Sequence, residues 1–202
     1  MARYFDKFPK LFYTKDGITS LVSNLLTRVQ TIQGVINNSA IYYQYDVKDG
    51  DTPEIIASKY YGDSELHWII LIFNDIIDPF YDWPMTYQQF IKFLTDKYGS
   101  AATAQITIHH YEKIIATTDS DSRKTTTNTY IVDLATYNSM PAEPTTVTKT
   151  IGSNTVTEVT SRNIVYAYDY ENNLNESKRK IKLLKKSLAP EIVKQFNILM
   201  SK

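Results

Sequence analysis

Three histidines are the side chains of this sequence best suited to metal ligation or proton transfer: His67 and the adjacent pair His109-His110. His67 falls within a helical pattern. Consecutive residues of a regular strand point to opposite faces, so His109 and His110 cannot close on one ion there. Asp119-Ser-Asp121 opens like a calcium loop, yet Arg123 and Lys124 stand where such a loop needs an oxygen ligand and a glycine. The carboxylate pairs Asp49/Asp51 and Asp75/Asp78 sit at turns and caps, where backbone geometry selects aspartate. No glycine-rich phosphate loop, nucleophile elbow or His-Glu-x-x-His occurs. With no cysteine, disulfides, thiolate metal sites, iron–sulfur clusters and cysteine nucleophiles are excluded. The expectation is a protein that is not an enzyme and uses no metal and no cofactor.

The elements that would position any site follow from composition and pattern. At 202 residues, 43% hydrophobic and 22% charged, the chain can bury a core in one large domain or two small ones. Basic and acidic residues balance at 22 each, which argues against a nucleic-acid partner. The longest apolar run, Trp68–Phe73, is far below the roughly 20 residues of a membrane helix. The first residues lack a signal-like apolar stretch, so the expectation is no membrane partner and synthesis in the cytoplasm. The balance conceals an asymmetry: residues 176–202 hold eight Lys/Arg against two Glu, and 39–99 hold ten Asp/Glu against four Lys. Electrostatic docking of the tail onto its own middle or a neighbouring subunit is one reading, and a solvated basic helix is the other. The 16 tyrosines suit surfaces that are wet before assembly and buried after it, although tyrosine-rich sheets use them too.

Four segments emerge. Residues 1–38 form an arm followed by an amphipathic helix over 17–38, with Ile18, Leu21, Val22, Leu25, Leu26 and Val29 at three- and four-residue spacing and Asp16 as cap. Gly34 and the β-branched residues leave part of that stretch open to an extended form. Residues 39–99 begin with a strand over Ile41–Val47 and a turn at Lys48–Asp51. A helix follows, capped by Thr52, started by Pro53 and closed by Gly62. The next helix is apolar on nearly every side, with Leu66, Trp68, Ile69, Ile70, Leu71, Ile72 and Phe73. It must be buried all round, by other elements or by another chain. A helix over about 86–98 follows Trp83-Pro84. Residues 100–165 carry 16 threonines within 101–160. Their alternating runs Gln105–Ile115 and Thr129–Tyr137 and a turn at Gly152-Ser-Asn154 read as an antiparallel β insertion. Residues 166–202 read as a basic helical segment with Leu174, Ile181, Leu184 and Leu188 inward, restarting at Pro190. The expected class is α+β.

Tyr45-Asp-Val47, Asp49-Gly-Asp-Thr52, Ile56-Ala57, Tyr61-Gly62, Leu66, Asn74 and Asp78-Pro79 resemble, in order and spacing, the LysM module. The resemblance implies a strand–helix–helix core, with Asp49, Gly50, Asp51, Thr52, Gly62, Asn74 and Pro79 as its turn and cap positions. Tyr81–Met85 and a helix stand where the module's closing strand is expected. The fuller pattern resembles the baseplate wedge protein 53 family of contractile-tailed bacteriophages. It includes Phe5, Phe8, Pro9, Phe12 and Tyr13, Tyr61-Gly-Asp63, His67-Trp68, Trp83, Tyr168-Asp-Tyr-Glu171 and Asn175–Lys182. That resemblance implies a structural subunit, in the virion and before that in the host cytoplasm, which clamps the helical core bundle of a wedge and joins adjacent wedges. Its implied partners are core-bundle proteins, the sheath initiator and neighbouring copies around the tail axis. The expected contact residues are Trp68, Leu71, Ile72, Phe80 and Trp83, with Lys178, Arg179, Lys182 and Lys186 steering the tail. The alternative is a peptidoglycan-binding LysM module of a cell-wall-targeting protein.

Overall fold

The computed structural model describes residues 7–27, 39–152 and 154–200. In chain order the elements are β1 (Lys10–Lys15), β2 (Ile18–Ser23), β3 (Tyr42–Asp46), α1 (Pro53–Tyr61), α2 (His67–Phe73) and α3 (Pro79–Asp82). Then come α4 (Tyr87–Tyr98), α5 (Ala101–Ile106), β4 (Ile108–Asp119), β5 (Thr125–Val132), α6 (Leu134–Ser139), β6 (Thr145–Ile151) and β7 (Asn154–Tyr166). The chain ends with α7 (Ala167–Ser177), β8 (Lys180–Leu184) and α8 (Ala189–Met200). Helices and antiparallel sheets together make an α+β fold. The described residues form two compact units, one from 1–86 with 175–202 and one from 87–174. The divisions between these units fall at 86/87 and 174/175.

In the first unit β3 pairs antiparallel with β8, Tyr42 opposite Leu184 and Asp46 opposite Lys180. The helices α1 and α2 lie between these strands in sequence and pack with them. Thr52 caps α1 by accepting the Ile55 N–H at 3.3 Å, Pro53 opens it, and Gly62 ends it at φ 85°, a left-handed position that favours glycine. Ile56, Ala57, Trp68, Ile69, Ile70 and Phe73 then form one core with Ile181, Leu183, Leu184, Ala189, Phe196 and Met200 from the tail, and with Phe8. The all-apolar helix is thus covered by its own chain. The basic tail docks onto its own middle module.

Three expectations change. The segment from Asp16 is a β-hairpin and not the start of a helix: β1 pairs with β2 from Lys10↔Ser23 to Lys15↔Ile18. Asp16 and Gly17 take φ 53° and 78°. Two successive positive φ values make a hairpin turn whose twist matches the strands, which Asp-Gly supplies readily. The rest of the expected helix, 28–38, lies outside the described residues. Second, Ile181 and Leu184 belong to strand β8, because Lys180–Leu184 satisfies the open edge of β3. The strand paired with β3 therefore comes from this late segment, while Tyr81 and Asp82 of the expected replacement lie in the short helix α3. Third, Leu174 and Leu188 are exposed, not inward.

In the second unit the sheet order is β5-β4-β7-β6, all antiparallel. The expected run Thr129–Tyr137 ends at Val132, because the Asp133 carboxylate accepts the Thr136 N–H at 2.7 Å and caps α6. Tyr137 of α6 lies on Tyr111, ring centroids 4.7 Å apart, and Arg162 covers Tyr137 at 4.6 Å. Phe90 and Leu94 of α4 are buried, and Phe90 meets Tyr168 of α7 edge-on at 5.7 Å. The buried Glu171 carboxylate accepts from Lys97 at 2.6 Å and from Tyr98 at 2.9 Å.

Candidate functional site

The turn after β3 carries a connected polar network around Asp51. Gly50 takes φ 82°, and the Asp51 N–H closes the turn on the Lys48 carbonyl at 3.0 Å. This swings the Asp51 carboxylate inward, where it is buried and accepts from Tyr45 Oη and Lys59 Nζ, each at 2.8 Å. The indole Nε1–H of Trp83 donates to the Asp51 carbonyl at 2.9 Å. Asp49 lies exposed on the same turn. Burial pushes the Asp51 carboxyl up, but the hydrogen bonds from Lys59 and Tyr45 and the Lys59 charge outweigh it and hold the group below the ordinary aspartate range. Burial, and then the bond to Asp51, pushes the Tyr45 phenol up.

Asp51 therefore confers acid-sensitive stability. A depressed carboxylate contributes fully above its unfolded value, near 4, and loses that contribution as pH falls through the lower folded value. The stability gap between the natural chain and Asp51→Asn is expected to shrink as pH is lowered from about 6 to about 3. Urea unfolding at each pH, followed by tryptophan fluorescence, measures it. A gap constant with pH contradicts the assignment.

Asn74 fastens the opposite end of the module. Its Nδ2 donates to the carbonyls of Ile70 at 2.8 Å and Lys182 at 2.9 Å, and its Oδ1 accepts the Lys182 N–H at 2.7 Å. One side chain thus joins the end of α2 to β8 through both backbone groups of Lys182. The sequence marked Asn74 as a motif position, but nothing local pointed to a bond 108 residues away. Pro79 opens α3 behind Asp78, whose carboxylate accepts the Phe80 N–H at 2.9 Å.

The structure corrects the expected contact residues. Trp68 is only 7% exposed and lies against Phe196 of α8, centroids 4.6 Å apart, with Phe8 behind Phe196 at 6.3 Å. Trp83 is buried through its bond to the turn. Neither faces outward, because each finds cover in its own chain: Trp68 against the Phe196 ring and Trp83 on the Asp51 turn. Leu71 and Ile72 are half-buried and pack on that core. Phe80, by contrast, is 89% exposed, next to exposed Ile77 and Tyr81.

The basic residues do not form one helical row. Lys178 donates to the Tyr81 carbonyl, and Arg179 pairs with Glu176 at 2.7 Å and reaches the Val47 carbonyl at 3.1 Å. Lys182 lies over the Tyr42 ring at 5.2 Å, and Lys186 is exposed. Sequence reasoning missed the hairpin as a candidate surface: Phe12 is 79% exposed, with Tyr13, Ile18, Leu21, Leu25 and Leu26 also exposed. The Asp-Gly turn flanked by apolar residues was the signal for it.

Two arrangements bear on chemistry. Tyr43, Tyr45, Tyr60, Ile56, Lys59 and Leu183 line a groove of about 280 Å³. In the second unit the β4–β7 register shifts between Ile108 and His110, so the strand is irregular there and the two Nδ1 atoms lie 2.8 Å apart. His109 stacks on Tyr170 at 3.8 Å. The reading of opposite faces held for a regular strand, and the irregularity instead sets the two rings side by side. Among the described residues, still, no three His, Asp or Glu side chains come together in a way that could hold a metal ion.

Against this geometry stands a family match. The model of the family described as base plate wedge protein 53 matches residues 4–199. The chain belongs to the base plate wedge protein 53 family. A relative is the baseplate wedge protein gp53 of Enterobacteria phage T4, 32% identical over 65 residues. That alignment covers 32% of this chain and 33% of the T4 protein, so it spans about a third of the relative's length. For the wedge protein 53 family, the match takes in both units: β1–β3, the α1–α2 module, the four-stranded sheet and the tail.

Proposed function

We propose that this chain is a structural, non-catalytic subunit of a phage tail baseplate, which clamps the core bundle of a wedge and joins adjacent wedges. The observation that carries the reading is the family match across residues 4–199. The strand–helix–helix–strand order of β3, α1, α2 and β8 supports reading the first unit as a LysM-like fold adapted to protein contacts. The exposed apolar side chains of the hairpin and of Ile77, Phe80 and Tyr81 are the candidate contact surfaces. Patches of that kind on a soluble chain mark association sites. Lys186 and the outer edge of the tail are candidates for steering. The partners in this reading are helical core-bundle proteins, the sheath initiator and neighbouring copies, and the location is the virion baseplate, with assembly in the host cytoplasm.

The test is to mix the full chain with purified wedge subunits and resolve the products by size-exclusion chromatography. Co-elution is expected, and separate elution overturns the reading. A second reading, peptidoglycan binding, is favoured by the tyrosine-lined groove, whose rings suit stacking on sugars. A pull-down on insoluble peptidoglycan with Tyr43→Ala and Tyr60→Ala separates the two. Retention that those changes abolish, without co-elution with wedge subunits, would establish the second.

A further inference from the structure

The four-stranded sheet ends in two edges, β5 and β6, and they differ in chemistry. Natural sheets protect exposed edges with charge, proline, bulges or a covering element, because unpaired N–H and C=O groups accept another strand. On β6 the sequence Thr-Thr-Val-Thr-Lys-Thr-Ile places Lys149 mid-strand. On β5 the sequence Thr-Thr-Thr-Asn-Thr-Tyr-Ile-Val has neither charge nor proline, and its pairing with β4 is unbroken from Tyr111↔Val132 to Thr118↔Thr125. Seven of its eight residues are exposed, including Tyr130 and Ile131, the latter 74% exposed. Among the described residues no strand pairs with its outer side. The sheet is therefore guarded on one side and open on the other.

We propose that β5 is a self-association edge: it pairs antiparallel, about a two-fold axis, with β5 of a second copy of this chain. The flanking charges select this occupant. In full register Thr125 lies opposite Val132 of the second copy, which sets the exposed Lys124 opposite Asp133 of that copy at both ends of the pair. Opposite charges across a strand pair are favourable and like charges are not. Pairing β5 with β6 of another copy instead, with Val132 opposite Thr145, sets Asp133 opposite the uncharged Pro144 and gains no ion pair there. Pairing β6 with itself brings Lys149 toward Lys149. Of these arrangements the two-fold β5 pair is the one that gains opposite charges at both ends, and it closes on itself without building a filament. It rests on the sheet alone and is independent of the baseplate reading.

The experiment is light-scattering chromatography of the full chain over a concentration series, with Thr127→Lys on β5 and Thr148→Lys on β6. The proposal expects a dimer that Thr127→Lys weakens at least about tenfold, since a solvated lysine opposite Tyr130 of the second copy then guards the β5 edge as Lys149 guards β6, and that Thr148→Lys leaves intact. Position matters as well as size. In this register Asn128 lies opposite Thr129 of the second copy and shares a face with it. In a chain without cysteine, an oxidised mixture of Asn128→Cys and Thr129→Cys copies therefore yields covalent dimer, and either variant alone does not. A monomer at all concentrations, a dimer indifferent to Thr127→Lys, larger species weakened by both lysines, or cross-linking of Asn128→Cys by itself would each overturn the proposal.

Discussion

Replacing Trp68 with alanine is expected to lower the unfolding free energy of the first unit by about 3–5 kcal/mol, the cost of emptying an aromatic site in a packed core. Trp68, on α2, is buried against Phe196 of α8, so its loss opens a void that the half-buried Leu71 and Ile72 cannot fill without leaving their own contacts. Phe196→Ala should cost a similar amount. The double variant should cost less than the sum by about 0.5–3 kcal/mol, because the two rings touch. The chain's two tryptophans, Trp68 and Trp83, both lie in this unit, so in the Trp68 variant the Trp83 fluorescence reports the transition. A loss below about 1 kcal/mol, in the range of surface changes, would mean that Trp68 is not enclosed by the tail.

Asn74→Ala should cost about 2–4 kcal/mol, because both backbone groups of Lys182 lose their bond to the side chain at once. The defect should be local as well as global. Strand β8 would be held only by β3 and the core, so the amides of Ile181–Leu184 should exchange with solvent faster than those of α1. Asn74→Asp keeps an acceptor for the Lys182 N–H but loses the donors to Ile70 and Lys182, and should recover only part of the loss. Hydrogen exchange with residue-level readout distinguishes detachment of β8 from uniform softening. Uniform softening would count against the stitch.

What could be read in the sequence was what is local. Thr52, Pro53 and Gly62 mark α1 because capping and left-handed closure are decided within a few residues. The reversal after Ile151 was legible for the same reason, and strands β6 and β7 pair on either side of it, Ile151 opposite Asn154. The hairpin at Asp16-Gly17 was misread because apolar residues at Ile18, Leu21 and Val22 fit a helical stripe as well as a strand, and Asp16 fits a helix cap as well as the positive-φ turn it forms with Gly17. Strand β8 was misread for a different cause. Lys180-Ile-Lys-Leu-Leu alternates, but its partner β3 precedes it by more than 130 residues, and no local pattern states that pairing. The same distance explains the contact residues. An apolar surplus on α2 was evident in the sequence, yet the cover supplied by Phe196 and Phe8 was not, so Trp68 read as available to a partner when it is already used. The exposed apolar surface lies elsewhere, on the hairpin and around Phe80.

In the proposed function this remaining apolar surface is what binds other wedge subunits. The most direct measurement is the affinity of purified wedge subunits for the full chain and for Phe80→Asp and Phe12→Asp, each first checked for unaltered urea unfolding. Both positions are exposed, so folding should be untouched, while a charge at the centre of a contact should weaken binding at least about tenfold. Affinities unchanged in both variants, or no binding by the natural chain, would contradict the account.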